Sequence, residues 1–242
     1  MQVTDFDVLT FDCYGTLIDW DSGIYAALQP LQARVGRTIP RDEALESFAR
    51  YESEQEAATP SLRYADLLAV VHGRLAHEWG VAPSQEEDQR FGASVPDWPA
   101  FADTAGALQY LGKHYKLVIL SNVDRQSFEG TIPRLGATLE AIYTAEDIGS
   151  YKPDPRNFAY LLARLGEKGI SPGRVLHTAQ SLYHDHVPAK AAGLATAWID
   201  RRQEGQGWDE TVPLTYGAKP DFRFTSVAAM AEAHLRALRQ AG

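Results

Sequence analysis

Five short apolar runs punctuate the chain: Phe6–Phe11, Leu117–Leu120, Ile142–Thr144, Val175–Thr178 and Thr196–Ile199. None alternates strictly between apolar and polar residues, so each reads as a strand buried on both faces. Segments of helical period separate them. In "KPDPRNFAYLLARLG", Asp154 is the expected N-cap and Pro155 the first helical residue. Phe158, Leu161, Leu162 and Leu165 then share one face, and Gly166 is the expected stop. Strands alternating with helices specify an α/β protein with a doubly wound, mostly parallel sheet.

Residues 19–95 interrupt this alternation. In "YADLLAVVHGRLAHEWG", Tyr64, Leu67, Leu68, Val71, Leu75 and Trp79 follow a helical period that Gly80 closes. Ser84 followed by Glu87 resembles a capping box. The expectation is a core domain from residues 1–18 and 96–242, with a helical domain at 19–95 inserted after the first strand. An insertion there overhangs the carboxyl ends of the strands, where open α/β sheets bind ligands, and can act as a lid.

Composition narrows the partners. The 242 residues carry 23 Lys and Arg against 32 Asp and Glu, a formal net charge of −9. That balance argues against nucleic acid or an anionic membrane surface. A small anionic substrate stays compatible, because a few cations can dominate one pocket. Cys13 is the single cysteine, so no intrachain disulfide forms, which suits a reducing cytoplasm. No basic-then-apolar leader opens the sequence and no apolar run reaches the length of a membrane span. The expected protein is soluble and cytoplasmic.

Four strand exits carry polar groups. The first run ends in "FDCYGTL" with Asp12 and Thr16, and the second in Ser121-Asn122. A later "YKPD" supplies Lys152, and "HTAQSLYHD" supplies Asp185. In a parallel sheet these ends share one edge, so two carboxylates, a hydroxyl-amide pair and an ammonium converge. Taken singly, Asp12 could be a turn former, Ser121-Asn122 a helix cap and Lys152 a solvated residue.

In this order the four segments resemble the motifs of the haloacid dehalogenase superfamily, from Phe6 to about Asp200. The resemblance implies a Rossmann-like sheet with an inserted α-helical cap domain, and assigns Asp12 as a covalent nucleophile, a role open to an ionised and positioned carboxylate. The phosphatase branch carries a second Asp two residues after the nucleophile, and an acidic magnesium ligand in the fourth motif. Here those places hold Tyr14, a poor proton donor near neutrality, and Ala179-Gln180-Ser181, which offers a hard cation no carboxylate. The pattern instead resembles the metal-independent L-2-haloacid dehalogenases.

That resemblance implies a hydrolase converting a 2-haloacid into a 2-hydroxy acid through an ester at Asp12, without metal or cofactor. Thr16 would orient Asp12, and Ser121 and the Asn122 amide would hold the substrate carboxylate. Lys152 would offset charge, and Asp185 would position Lys152 or water. Tyr14 and His184 join the substrate-binding set, His184 as a polar group over Asp12. A cap arginine would receive halide; Arg50 in "SFARYESEQ" is the first candidate, with Arg63 behind it. Trp20 would line the pocket or pack the lid. A homodimer is compatible with the resemblance.

The match has departures. Where the dehalogenases often present Ser-Ser-Asn, this chain has Gln180-Ser181-Leu182, and Phe158 stands where a tyrosine is common. The altered fourth motif keeps alive a carbon–nitrogen bond, as in a strained cyclic amino acid, as the bond cleaved. A magnesium-dependent phosphatase and a non-catalytic binding protein on the same fold are further alternatives, since fold alone does not establish activity. His184, Asp185 and His186 are adjacent and lack zinc spacing, and His177 and His186 read as buried structural residues. Arg201 and Arg202, in "RRQEGQGWDE", read as solvated.

Overall fold

The computed structural model describes residues 1–203 and 215–241. Six parallel strands form one sheet: β1 Val8–Phe11, β2 Lys116–Ser121, β3 Ala141–Thr144, β4 Val175–Ala179, β5 Ala195–Ile199 and β6 Phe222–Phe224. Their order is β3-β2-β1-β4-β5-β6, which puts β1 near the middle with β2 and β4 beside it. Phe11 pairs with both Ile119 and Thr178, so those three strands reach their carboxyl ends nearly level. All four β1 residues are buried, the reason its sequence shows no alternation. Burying side chains such as Leu9 and Phe11 contributes roughly 1.5–3 kcal/mol each.

Eleven α-helices are described: α1 Trp20–Ala27, α2 Gln29–Val35, α3 Arg41–Ala58, α4 Tyr64–Glu78, α5 Gln85–Gly92, α6 Thr104–Leu111, α7 Arg125–Leu135, α8 Ala145–Ile148, α9 Arg156–Glu167, α10 Val187–Ala191 and α11 Val227–Ala241. Helices α1 to α5 follow β1 without an intervening strand, as the broken alternation predicts. Tyr64, Leu67, Leu68, Val71 and Leu75 of α4 are buried on the expected face, and Gly80 turns the chain with φ +76°.

Local details differ from expectation. Helix α9 begins at Arg156, with Pro155 as N-cap; Asp154 accepts from the Arg156 N–H at 2.9 Å. The helix passes through Gly166 to Glu167, and Gly169 takes the left-handed turn. Ser84 caps α5 with no side-chain bond, and the Glu87 carboxylate pairs with Arg34 in place of the Ser84 N–H. Strand β6 escapes a sequence reading: it has three residues, all only half-buried. Among the described residues no helix is long and apolar enough to cross a membrane. Cys13 is buried and unpaired.

Candidate active site

The strand exits meet as the topology requires. Asp12 prolongs β1, its N–H donating to Thr178 O at 3.1 Å. The chain then turns through Gly15, whose φ of +92° is left-handed and whose missing Cβ would lie 2.9 Å from Trp20 Nε1. This turn brings Thr16 back under Asp12, and the Thr16 hydroxyl donates to Asp12 Oδ2 at 2.7 Å. Thr16 Oγ1 in turn accepts from the Gln180 N–H at 2.9 Å, tying the first motif to the fourth.

Lys152 is the hub. Its Nζ donates to Asp12 Oδ1 at 2.9 Å, Asp185 Oδ1 at 2.6 Å and the Leu120 carbonyl at 3.1 Å, and its side chain is 1% exposed. A buried ammonium survives only with such partners. Burial opposes its charge, but Asp12 and Asp185 hold its pKa above the ordinary lysine value. Burial pushes the Asp12 carboxyl above its usual range, with Lys152 and Thr16 pulling the other way. Asp185 resists the same burial and is held below the carboxylate range by Lys152 and His177.

His177, on β4, is fully buried yet touches the site. Its Nε2 lies 3.0 Å from Asp185 Oδ1, and its Nδ1 lies 2.9 Å from Thr10 Oγ1. If the Thr10 hydroxyl donates to Nδ1, Nε2 carries the proton and donates to Asp185. His186 is buried against Ala179 O at 3.0 Å.

These groups floor a cavity of about 770 Å³, roofed by α3 and α4 and walled by the Gln180–Asp185 turn. Tyr14 lines it, but its hydroxyl pairs with Thr131 Oγ1 at 2.9 Å and its ring stands edge-on to Trp98. Burial pushes the Tyr14 phenol well up. Ser121 lines it too, 2% exposed, and its Oγ has no hydrogen-bond partner. His184 contributes a ring whose Nδ1 is 3.1 Å from Ser181 Oγ, and burial lowers its pKa. Trp20 both lines the cavity and packs on Phe48.

The expected substrate contacts differ in their surroundings. The Asn122 side chain is committed to the Lys152 backbone, with Oδ1 accepting from its N–H at 2.7 Å and Nδ2 donating to its carbonyl at 3.1 Å. It fixes the lysine loop, so its side-chain amide is already engaged beside the cavity it lines. Arg50 faces away: its guanidinium donates to Glu78 Oε2 at 2.6 Å and lies over the Tyr51 ring. Helical rotation explains this. Ala49, Glu52, Ser53 and Glu56 form the stripe of α3 that lines the cavity, and Arg50 sits about 100° around from it. Arg63 likewise points to Gln126, outside the cavity lining.

Arg201 is not solvated either. It donates to Thr16 O at 2.7 Å, pairs with Asp103 at 2.7 Å and is 12% exposed, so it braces the nucleophile loop. Arg202 is half-exposed at the cavity, paired with Asp21. Residues 204–210 of that segment lie outside the described residues.

Sequence reasoning missed the α3 carboxyls. Glu52 Oε1 accepts from the Tyr64 hydroxyl at 2.5 Å, and Glu56 Oε1 from Asn122 Nδ2 at 3.3 Å. Their i, i+4 spacing with Ala49 and Ser53 was the available signal, but a charge-rich helix ordinarily turns such residues to water.

A family model of haloacid dehalogenase-like hydrolases matches residues 6–193, spanning all four strand exits. The chain belongs to that family. It is 27% identical over 211 residues to (S)-2-haloacid dehalogenase 4A of Burkholderia cepacia, covering 83% of this chain and 86% of the relative. A solved L-2-haloacid dehalogenase aligns with TM-score 0.75 and 25% identity over 96% of this chain and 99% of its own. The L-2-haloacid dehalogenase of Xanthobacter autotrophicus, solved with chloropropionic acid covalently bound, shares the fold at TM-score 0.76 and 18% identity, over 95% and 98% of the two chains. Within this family the donor set decides whether magnesium fits. Here Lys152 Nζ occupies the space between the two carboxylates, and positions 14 and 180 are Tyr and Gln. Among the described residues no group of three His, Cys, Asp or Glu side chains could hold a metal ion. The residues do not fit that ion.

Proposed function

We propose that this hydrolase cleaves carbon–halogen bonds of small 2-haloacids, with Asp12 as the covalent nucleophile and no metal. The observation that carries the reading is the engagement of Tyr14 with Thr131, since no acid then stands two residues from Asp12 to protonate a leaving alcohol. A leaving group that departs as a stable anion needs none. In the first step an Asp12 carboxylate oxygen bonds to the α-carbon while the carbon–halogen bond breaks and halide leaves with the electron pair. Water then adds to the Asp12 carboxyl carbon. The ester C–O bond to that carbon breaks, Asp12 is regenerated, and the 2-hydroxy acid and one proton are released.

Lys152 disperses the charge of Asp12 before attack, and Thr16 fixes the carboxylate plane. Asp185 spends Oδ1 on Lys152 and His177, while its Oδ2 is buried without a partner and can hold the attacking water. Residues 19–95 act as the cap that shields the ester from bulk solvent. The covalently loaded chloropropionic acid in the Xanthobacter relative supports the ester step.

The test is halide release from chloroacetate, fluoroacetate and both 2-chloropropionate enantiomers in EDTA, beside p-nitrophenyl phosphate with magnesium. Halide should appear in EDTA and vanish in Asp12→Asn. Release that persists in the pure variant removes Asp12 from the role, and magnesium-dependent phosphate release would replace the reading with phosphoryl transfer.

A further inference from the structure

The cavity carries more negative than positive groups, which a simple haloacid does not explain. Asp12 and Asp185 share Lys152, but Glu52 and Glu56 line the opposite wall with no cation of their own. Their described neighbours come from four directions. Helix α4 offers the Tyr64 hydroxyl, and the end of β2 offers Asn122 Nδ2. The loop before α9 brings Tyr151, whose hydroxyl donates to Leu62 O, and Lys152, already held by two carboxylates. The Gln180–Asp185 turn brings His184 Nε2 to 4.0 Å from Glu56 Oε2. Among the described residues no Lys or Arg forms an ion pair with Glu52 or Glu56. Two carboxyls one helical turn apart, Glu56 buried and Glu52 half-buried, are costly to ionise together without a cation between them.

A second observation marks the same cavity as built for a polar ligand. Ser121 and Asp185 are among its lining residues, both are at least 98% buried, and Ser121 Oγ and Asp185 Oδ2 have no hydrogen-bond partner. A ligand seated there would meet a hydroxyl able to donate to a carboxylate near Asp12, and two carboxyls able to accept on the α3 wall. We propose that Glu52 and Glu56 are specificity residues that bind a protonated amine, so that the preferred substrate is a small carboxylic acid with an electrophilic carbon facing Asp12 and an ammonium group facing α3. This deepens the covalent-carboxylate reading and rests on it for the orientation of the substrate. A single ammonium has three donors and can serve both carboxyls at once.

The experiment is calorimetric titration of the intact protein at neutral pH with two product-like acids that differ in one group. These are 4-amino-2-hydroxybutanoate and 2-hydroxypentanoate, in which methyl replaces ammonium. The amino acid derivative should bind at least about tenfold more tightly. In Glu52→Gln and in Glu56→Gln that ratio should fall towards unity, since Gln keeps the size and an acceptor but cannot give up a proton to become the carboxylate that pairs with an ammonium. Circular dichroism on both variants shows whether each is folded. Equal affinities in the wild-type protein, a preference that survives in both folded variants, or no binding of either acid overturns the proposal. Chloride release from 2-chloropropionate is assayed on the same preparation. Release without amine preference refutes only this proposal, and amine preference without release refutes only the halide reading.

Discussion

At the residue scale the site is organised by one ammonium. Lys152 Nζ is within 3.1 Å of three oxygens, two of them on carboxylates that would otherwise repel each other in a buried setting. Removing one partner of such a group costs more than the pair contributes, because the remaining charges stay buried and unpaired. Lys152→Met, similar in length and uncharged, should therefore lower stability by roughly 3–5 kcal/mol and slow halide release about 10²–10³-fold. Urea unfolding and single-turnover kinetics measure the two effects. An unchanged urea midpoint would mean that Asp12 and Asp185 are not jointly ionised. Asp12 was legible in the sequence because it directly follows an apolar run, whereas Lys152 and Asp185 lie several residues beyond β3 and β4 and were legible through the order of the motifs. His177 was not, since a histidine inside a buried strand gives no sign of which way its ring nitrogens point.

At the scale of elements, packing set what the sequence pattern left open. The stripe Ala49-Glu52-Ser53-Glu56 is the face of α3 that meets the cavity, and one step of rotation takes Arg50 to Glu78 instead. A charge-rich helix with two candidate faces cannot be oriented until its neighbours are known, whereas the apolar stripe of α4 orients itself. The α4–α5 crossing depends on one missing side chain. A Cβ on Gly92 would lie 2.2 Å from Ala65 O, a backbone atom that cannot swing aside. Alanine is the better helix former by about 0.8–1.0 kcal/mol, but separating the helices outweighs that gain. Gly92→Ala should thus destabilise the protein by about 1–3 kcal/mol, read as a lower denaturant midpoint at unchanged m. A midpoint equal to or above wild type would show that the two helices have slack at this contact. Short edge elements such as β6 and the cap of α5 were illegible for a related reason: three half-buried residues and one displaced glutamate carry too little pattern.

Across the whole molecule, the carboxyl that shapes the cavity imposes a cost on folding whose pH dependence has a definite sign. Burial holds the folded Glu56 carboxyl well above its ordinary value of 4.5, with Glu52 adding to the effect and Asn122 and Lys152 opposing it. Between the two values the folded chain keeps a proton that the unfolded chain has lost. Stability therefore falls as pH rises from 4.5, by as much as about 1.4 kcal/mol per unit. His186 works in the opposite sense. Burial lowers it to about 4, so its contribution grows as pH rises from 4 to 6.5 and partly masks the slope in the wild-type protein. Asp185 loses its contribution only in stronger acid. Subtraction removes the groups remote from Glu56 and leaves Glu56 together with its repulsion of Glu52, because a glutamine there binds no proton. Glu56→Gln should match wild type near pH 5 and exceed it by about 1–3 kcal/mol near pH 7.5, followed by urea unfolding at several pH values. A difference that stays flat over that range would mean that Glu56 is as free to ionise in the folded protein as in the unfolded chain. A difference that grows with pH would mean that the folded protein keeps a destabilising group in its cavity wall, as expected where a binding site is shaped at the expense of stability.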